Sequence, residues 1–156
     1  MSNLRGFRFF QVFLVFSIVL VSLFTLPLRG YCDDWVEVLK NKDYTTYYNP
    51  TSVTIYKDQK IIKVLGKDVY TEKGKNEVLK NIVGIETKYS DINYTLTLYL
   101  FDYKEWKMGI NNIKHISNSG NILFDKNYVT KWNSIKLDSE SDVFLKKLLK
   151  DNNIQR

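Results

Sequence analysis

Residues able to do chemistry are few in this chain. It has a single histidine, His115, and a single cysteine, Cys32. A multi-histidine metal site is excluded by counting, and a Cys-His nucleophile pair is excluded from the globular part if Cys32 leaves with the leader described below. His115 stands in Ile113-Lys114-His115-Ile116, and no G-x-S-x-G turn exists to present a serine to it. A hydrolase built on His115 thus lacks a partner set, and a structural or solvent-facing histidine is expected. Asp138, Glu140 and Asp142 form the densest group of carboxylates. They precede an apolar helical pattern, where acids satisfy free N–H groups and favour the helix dipole. Asp33-Asp34 reads as a solvated terminus. Gly66, Gly74, Gly84, Gly109 and Gly120 are scattered singly, so no phosphate-cradling loop forms. No catalytic residue, metal or cofactor is expected.

Aromatic residues are the richer signal. Of the 11 tyrosines only Tyr31 lies in the N-terminal segment, and Trp35, Trp106 and Trp132 accompany the rest. Tyrosine and tryptophan offer large contact area with few rotatable bonds, which suits binding surfaces. In Tyr94 to Tyr103, alternation separates Tyr94, Leu96, Leu98 and Leu100 from Thr95, Thr97, Tyr99, Phe101 and Tyr103. With the leucines packed against helices, Thr95, Thr97, Tyr99 and Tyr103 become the candidate face for a protein partner, rimmed by Lys63, Lys67 and Lys104. Self-association through that face, as a homodimer, is the rival use. Trp35 and Trp132 each open a short apolar motif and are expected to be core or rim anchors. Asn93-Tyr94-Thr95 matches a glycosylation acceptor but opens a strand.

The elements that must position these residues are mostly strands. Trp35 to Leu39 and Tyr44 to Tyr48 flank an Asn41 to Asp43 turn, and Val53 to Lys57 and Ile61 to Tyr70 flank Asp58-Gln59-Lys60. Asn49-Pro50 forces an extended or turning backbone. A helical spacing of Val78, Leu79, Ile82 and Val83 lies between Thr71 and Ser90, weakened by Gly84. Trp106 to Ile116 and Asn121 to Phe124 are further strands around Asn118-Ser119-Gly120. Asp138 to Ser141 supply N-cap candidates for a terminal helix with the stripe Val143, Phe144, Leu148, Leu149. Grouped strands with two separate helices favour an α+β domain: an antiparallel sheet of about five to six strands under two helices, following an N-terminal signal helix.

Phe9 to Leu28 is almost wholly apolar and follows Arg5 and Arg8 with no acid, the layout of a secretory signal peptide. Pro27, then Gly30 and Cys32, fit a cut before Asp33, giving residues 1–32 as signal peptide and 33–156 as one domain. An uncleaved signal anchor in the inner membrane is the competing reading, since about 20 apolar residues span a bilayer. The bulky Tyr31 before Cys32 argues against lipid attachment. The whole-chain charge of +6 includes Arg5, Arg8 and Arg29, so the remaining domain carries +3. That is too mild for nucleic acid. Membrane contact is expected only through the N-terminal segment.

The succession Trp35-Val36-Glu37-Val38, Tyr47-Tyr48-Asn49-Pro50-Thr51-Ser52-Val53, Ile61-Ile62-Lys63-Val64, Ser119-Gly120-Asn121-Ile122-Leu123 and Trp132-Asn133-Ser134-Ile135 resembles the surface-adhesin protein E-like family of small exported bacterial proteins. The likeness runs through nearly all of the segment after residue 32. It implies an antiparallel sheet with packed helices and a bacterial envelope, periplasmic, surface or secreted location. It also implies binding to host matrix or plasma proteins rather than catalysis. Relatives in that family carry a cysteine after the long central strand and another near the terminal helix. The corresponding places here, Asp102-Tyr103 and Leu148 to Asn152, hold none, so the disulfide implied by the resemblance is missing. The alternative function is a membrane-anchored structural or quality-control component of the envelope.

Overall fold

Residues 61–70 and 92–102 make the centre of the sheet, because both runs are long, rich in β-branched and aromatic residues, and free of proline. The computed structural model describes residues 34–81 and 87–155. The expected signal helix and Gly84 lie outside them. The strands are β1 (Val36–Lys40), β2 (Tyr44–Tyr48), β3 (Thr54–Tyr56), β4 (Ile61–Tyr70), β5 (Ile92–Asp102), β6 (Lys107–Ser117), β7 (Ile122–Asn127) and β8 (Asn133–Ser134). The helices are α1 (Glu72–Asn81) and α2 (Glu140–Asp151), with 3-10 turns at Pro50–Ser52 and Thr87–Asp91. All strand pairs are antiparallel, in the order β1-β2-β4-β5-β6-β7, with β3 also on β4 and β8 also on β6. The α+β class agrees with the sequence reading. The short strand β8 and the 3-10 turn at Thr87–Asp91 were not expected. Among the described residues no helix is long and apolar enough to cross a membrane.

Tight turns set the registers. The Asn41 side chain accepts from the Asp43 and Tyr44 backbone N–H groups at 2.8 and 2.9 Å, closing the β1–β2 hairpin. Asp102 does the same for Lys104 and Glu105 between β5 and β6. In the β4–β5 pairing Ile62 falls opposite Phe101, Val64 opposite Tyr99 and Gly66 opposite Thr97.

Helix α2 covers one face of this sheet. Ser139 caps it by accepting from the Asp142 N–H, and its buried stripe is Phe144, Leu145, Leu148 and Leu149. The core joins that stripe to Tyr48, Ile62, Val64, Phe101 and Tyr103. Phe144 meets Tyr48, Tyr99 and Phe101 at ring separations of 6.2, 5.5 and 5.3 Å. Asp142 lies fully buried at the start of this helix. It accepts from the Trp106 indole N–H at 2.8 Å and the Asp138 N–H at 2.9 Å, and pairs with Lys146 at 2.7 Å. The Lys146 hydrogen bond is the first cause that holds its carboxyl below the ordinary value. Asp142 is therefore a pin between α2 and the β5–β6 turn, in addition to being an acid at a helix start.

Candidate functional site

The sequence-derived binding face points inward. Thr95 and Thr97 are each 5 % exposed and Tyr103 is 6 % exposed, while the Tyr99 ring packs on Phe101 and Phe144. Alternation along β5 holds, but the sides are exchanged: the Thr95, Thr97, Tyr99, Phe101, Tyr103 set lies toward α2, and Leu96, Leu98 and Leu100 lie on the other side, half-buried. The reason is the neighbouring strand. Ile62 and Val64 on β4, opposite Phe101 and Tyr99, give the inner set an apolar floor that Lys63, opposite Leu100, and Lys67, opposite Leu96, deny to the leucines. Gly66 completes it, because a Cβ there would stand 2.7 Å from the Tyr99 ring.

The inner threonines are tolerated because their hydroxyls are bonded. Thr46 donates to Asp68 at 2.6 Å, and Thr95 Oγ1 lies 2.8 Å from both the Tyr70 hydroxyl and His115 Nδ1. Tyr44 donates to Glu140 at the first residue of α2. A groove of about 140 Å³ opens here, lined by Tyr44, Thr46, Asp68, Tyr99, Glu140 and Phe144 among others. None of its lining residues is basic. Burial raises the Asp68 carboxyl above its ordinary value, opposed by the Thr46 hydrogen bond and reinforced by the charge of Glu140. Burial lowers His115, whose ring sits between Tyr89 and Phe124 at 6.2 and 5.2 Å. A hydroxyl 2.8 Å from an imidazole is the spacing of a nucleophile and its base. Here the hydroxyl is buried, its other neighbour is a phenol, and the bond joins facing residues of β5 and β6.

The opposite face carries what a partner could touch. Across β4 and β5 it presents successive pairs Lys63–Leu100, Leu65–Leu98, Lys67–Leu96 and Val69–Tyr94, all half-buried. The Lys67 ammonium lies 4.1 Å from the Trp35 ring centre, 5.8 Å from Tyr47 and 5.7 Å from Tyr94. These rings surround a cation in a chain-internal cation–π cluster. On β6 the next residues outward are Asn112 and Lys114, the latter paired with Asp125 at 3.0 Å. Lys63 and Lys67, expected to rim the Thr95, Thr97, Tyr99, Tyr103 face, lie on the opposite side of the sheet beside Leu100 and Leu96. Lys104 lies exposed in the β5–β6 turn. Trp35 belongs to this face, and Trp132 is 38 % exposed near the sheet edge, so Trp106 is the tryptophan tied into the core by a buried partner. Missed from sequence were Trp35, Tyr47, Leu65, Leu96 and Leu98 as surface residues. The available signal was the alternation Lys63, Leu65, Lys67, which marks that side of β4 as solvent-facing.

No family model matches this chain, and no curated protein matches it.

Proposed function

We propose that this chain is an exported, non-enzymatic envelope or surface protein of the protein E-like kind, whose domain binds a protein partner in the manner of an adhesin. The observation that supports this most is the sheet face of Leu65, Leu96 and Leu98 with Trp35, Tyr47 and Tyr94, half-buried on the side away from α2. Contiguous half-exposed aliphatic and aromatic side chains on a sheet are a surface awaiting cover. The basic, then apolar, N-terminal segment supports export. The burial of Thr95 beside His115 supports a binding role over hydrolysis.

Binding of the full chain to immobilised host matrix and plasma proteins, measured by surface plasmon resonance, tests the reading. Saturable binding weakened by Tyr47→Ala is expected, and absence of binding to every protein in both classes overturns it. Fractionation with N-terminal sequencing of the recovered chain tests export. A product starting at Asp33 outside the cytoplasm is expected, and a retained segment in the inner membrane would favour the membrane-anchored structural role instead.

A further inference from the structure

Tyr128, Val129 and Trp132 are three of the seven large apolar side chains exposed among the described residues, and they fall within five positions of the chain. Val129 is the extreme, at 96 % exposure. The loop that carries them is fastened at both ends. The Tyr128 N–H donates to the Asn111 carbonyl at 2.8 Å, and the Ile135 N–H donates to the Trp106 carbonyl at 2.8 Å. Just after the loop β8 pairs with β6, and the approach is so close that a Cβ on Gly109 would stand 2.4 Å from Thr130 Cγ2. Val129 is therefore held out into solvent by a secured loop. A groove of about 210 Å³ beside it is lined by Tyr128, Val129 and Lys131 of the loop and by Met108, Ile110 and Ile113 of β6. Those β6 residues face Phe101, Tyr99 and Thr97 across the ladder, so the groove opens on the α2 side, away from Leu65, Leu96 and Leu98.

The loop is basic as well as apolar. Lys126, Lys131 and Lys136 are exposed, and no acid falls between Asp125 and Asp138. The Lys126 ammonium lies 5.2 Å from the Tyr128 ring centre, a contact that does not neutralise it. Lys131 and Lys136 have no carboxylate at ion-pair distance among the described residues. The acids of the neighbouring elements are engaged elsewhere. Asp125 pairs with Lys114 at 3.0 Å, and buried Asp142 pairs with Lys146. Asp102 and Glu105 in the β5–β6 turn are matched in number by Lys104 and Lys107. Asp68 and Glu140 line the adjoining groove, which shares Met108 and Ile110, and take hydrogen bonds from Thr46 and Tyr44. That leaves Asp138 against three lysines.

We infer that the Tyr128–Trp132 loop docks on an anionic lipid surface, with Val129 among the acyl chains, the Tyr128 and Trp132 rings at headgroup depth, and Lys126 and Lys131 on the phosphates. An aliphatic tip between amphipathic rings, with lysines alongside, is the composition of an interfacial anchor. A stable protein complex covers about 800 Å² on each partner, more than a five-residue tip presents. Two copies joined here would oppose lysines of like sign. A fluid anionic surface closes around the tip and supplies the opposite charge. This surface is separate from the sheet face proposed above, and its failure leaves that reading untouched.

The test places the full chain on phosphatidylglycerol and phosphatidylcholine vesicles whose acyl chains are brominated near the headgroup, so that tryptophan emission is quenched at that depth. The difference between the parent and Trp132→Phe isolates Trp132 even where the N-terminal segment holds the chain on the vesicle. Trp132 quenching is expected on phosphatidylglycerol alone, falling several-fold with Val129→Asp, with Lys131→Glu or at high salt. Equal Trp132 quenching on both lipids, none on either, or indifference to Lys131→Glu overturns the inference. So does dimerisation without lipid that Val129→Asp abolishes, or a Trp132 emission shift with polyglutamate but not with phosphatidylglycerol. Circular dichroism melts check that the two surface variants are folded, and if either is not, the lipid and salt comparisons on the parent chain still decide.

Discussion

The two faces of the sheet invert the usual expectation about which side of a strand is the inside. The inner face of β5 presents two threonines, a tyrosine and a phenylalanine to α2, and the outer face presents three leucines. Leucine is the more hydrophobic choice, yet it is the side left half-exposed. Coverage is decided by what surrounds a strand: β4 sets Ile62, Val64 and Gly66 beneath the inner set and Lys63 and Lys67 beside the outer one. Threonine inside is then permitted because Thr46, Asp68, Tyr70 and His115 satisfy or share its kind of polar group in pairs.

The comparison breaks most sharply on Phe144. It touches three inner-face rings, so Phe144→Ala should cost about 3–5 kcal/mol of stability, measured by urea denaturation. Tyr99→Ala should also unfold the protein more readily than Leu98→Ala, whose loss on the outer face should be nearer 1 kcal/mol. A Leu98→Ala variant as unstable as Phe144→Ala would mean that the outer face is also core.

The close approach at Gly66 sharpens the same point. Adding one methyl pushes against the Tyr99 ring, which is already held by Phe101 and Phe144 and has little room to move. Gly66→Ala should cost about 1–3 kcal/mol by overpacking, and a Tyr99→Leu background should recover part of it. Independent, additive effects in the double variant would show that the two sites do not meet.

How much of this was legible in the sequence differs by kind. Strand runs at 44–48 and 61–70 coincide with β2 and β4, because turn residues bound them at both ends. Helix α2 was announced by Ser139 and by the stripe through Phe144 and Leu148. The side each β5 residue takes was not legible. Both alternating sets are apolar enough to be buried, and the deciding residues sit on β4, some thirty positions earlier, brought beside them by register. Asp142 shows the same limit. Its place before a helix suggested a dipole effect, whereas it also accepts from the Trp106 indole 36 residues away.

A smaller effect is expected at the Tyr48 hydroxyl, which donates to Asp151 at 2.8 Å beneath the end of α2. Burial first, then the hydrogen bond to Asp151, pushes this phenol up to about 12. Tyr48→Phe removes one hydrogen bond but leaves Asp151 paired with Lys147 at 2.9 Å. The expected loss is about 1 kcal/mol, read as a shift in the denaturation midpoint with unchanged slope.

The last and smallest effect concerns pH, and the two titrating groups of the inner face have opposite signs. Burial depresses His115 below its ordinary 6.5, so above that pH both folded and unfolded chains carry it neutral and stability does not change. As pH falls through 6.5 the unfolded chain takes up a proton that the folded chain resists, and stability declines. Burial raises Asp68 above its ordinary 3.8, so the folded chain bears a constant penalty at neutral pH. That penalty is relieved as pH falls through the raised value, because the folded chain then protonates first, and the relief ends near 3.8. Asp142 and Asp151, held low by Lys146 and Lys147, begin to lose their contribution only as pH drops through the same 3.8. Between 6.5 and about 4 the profile is therefore a contest between His115 and Asp68. Melting temperatures across that window should fall less steeply with acid in His115→Gln, since the loss is removed, and more steeply in Asp68→Asn, since the relief is removed. Parallel profiles for both variants and the parent chain would show that neither group is held in the dry interior by which the inner face differs from the outer one.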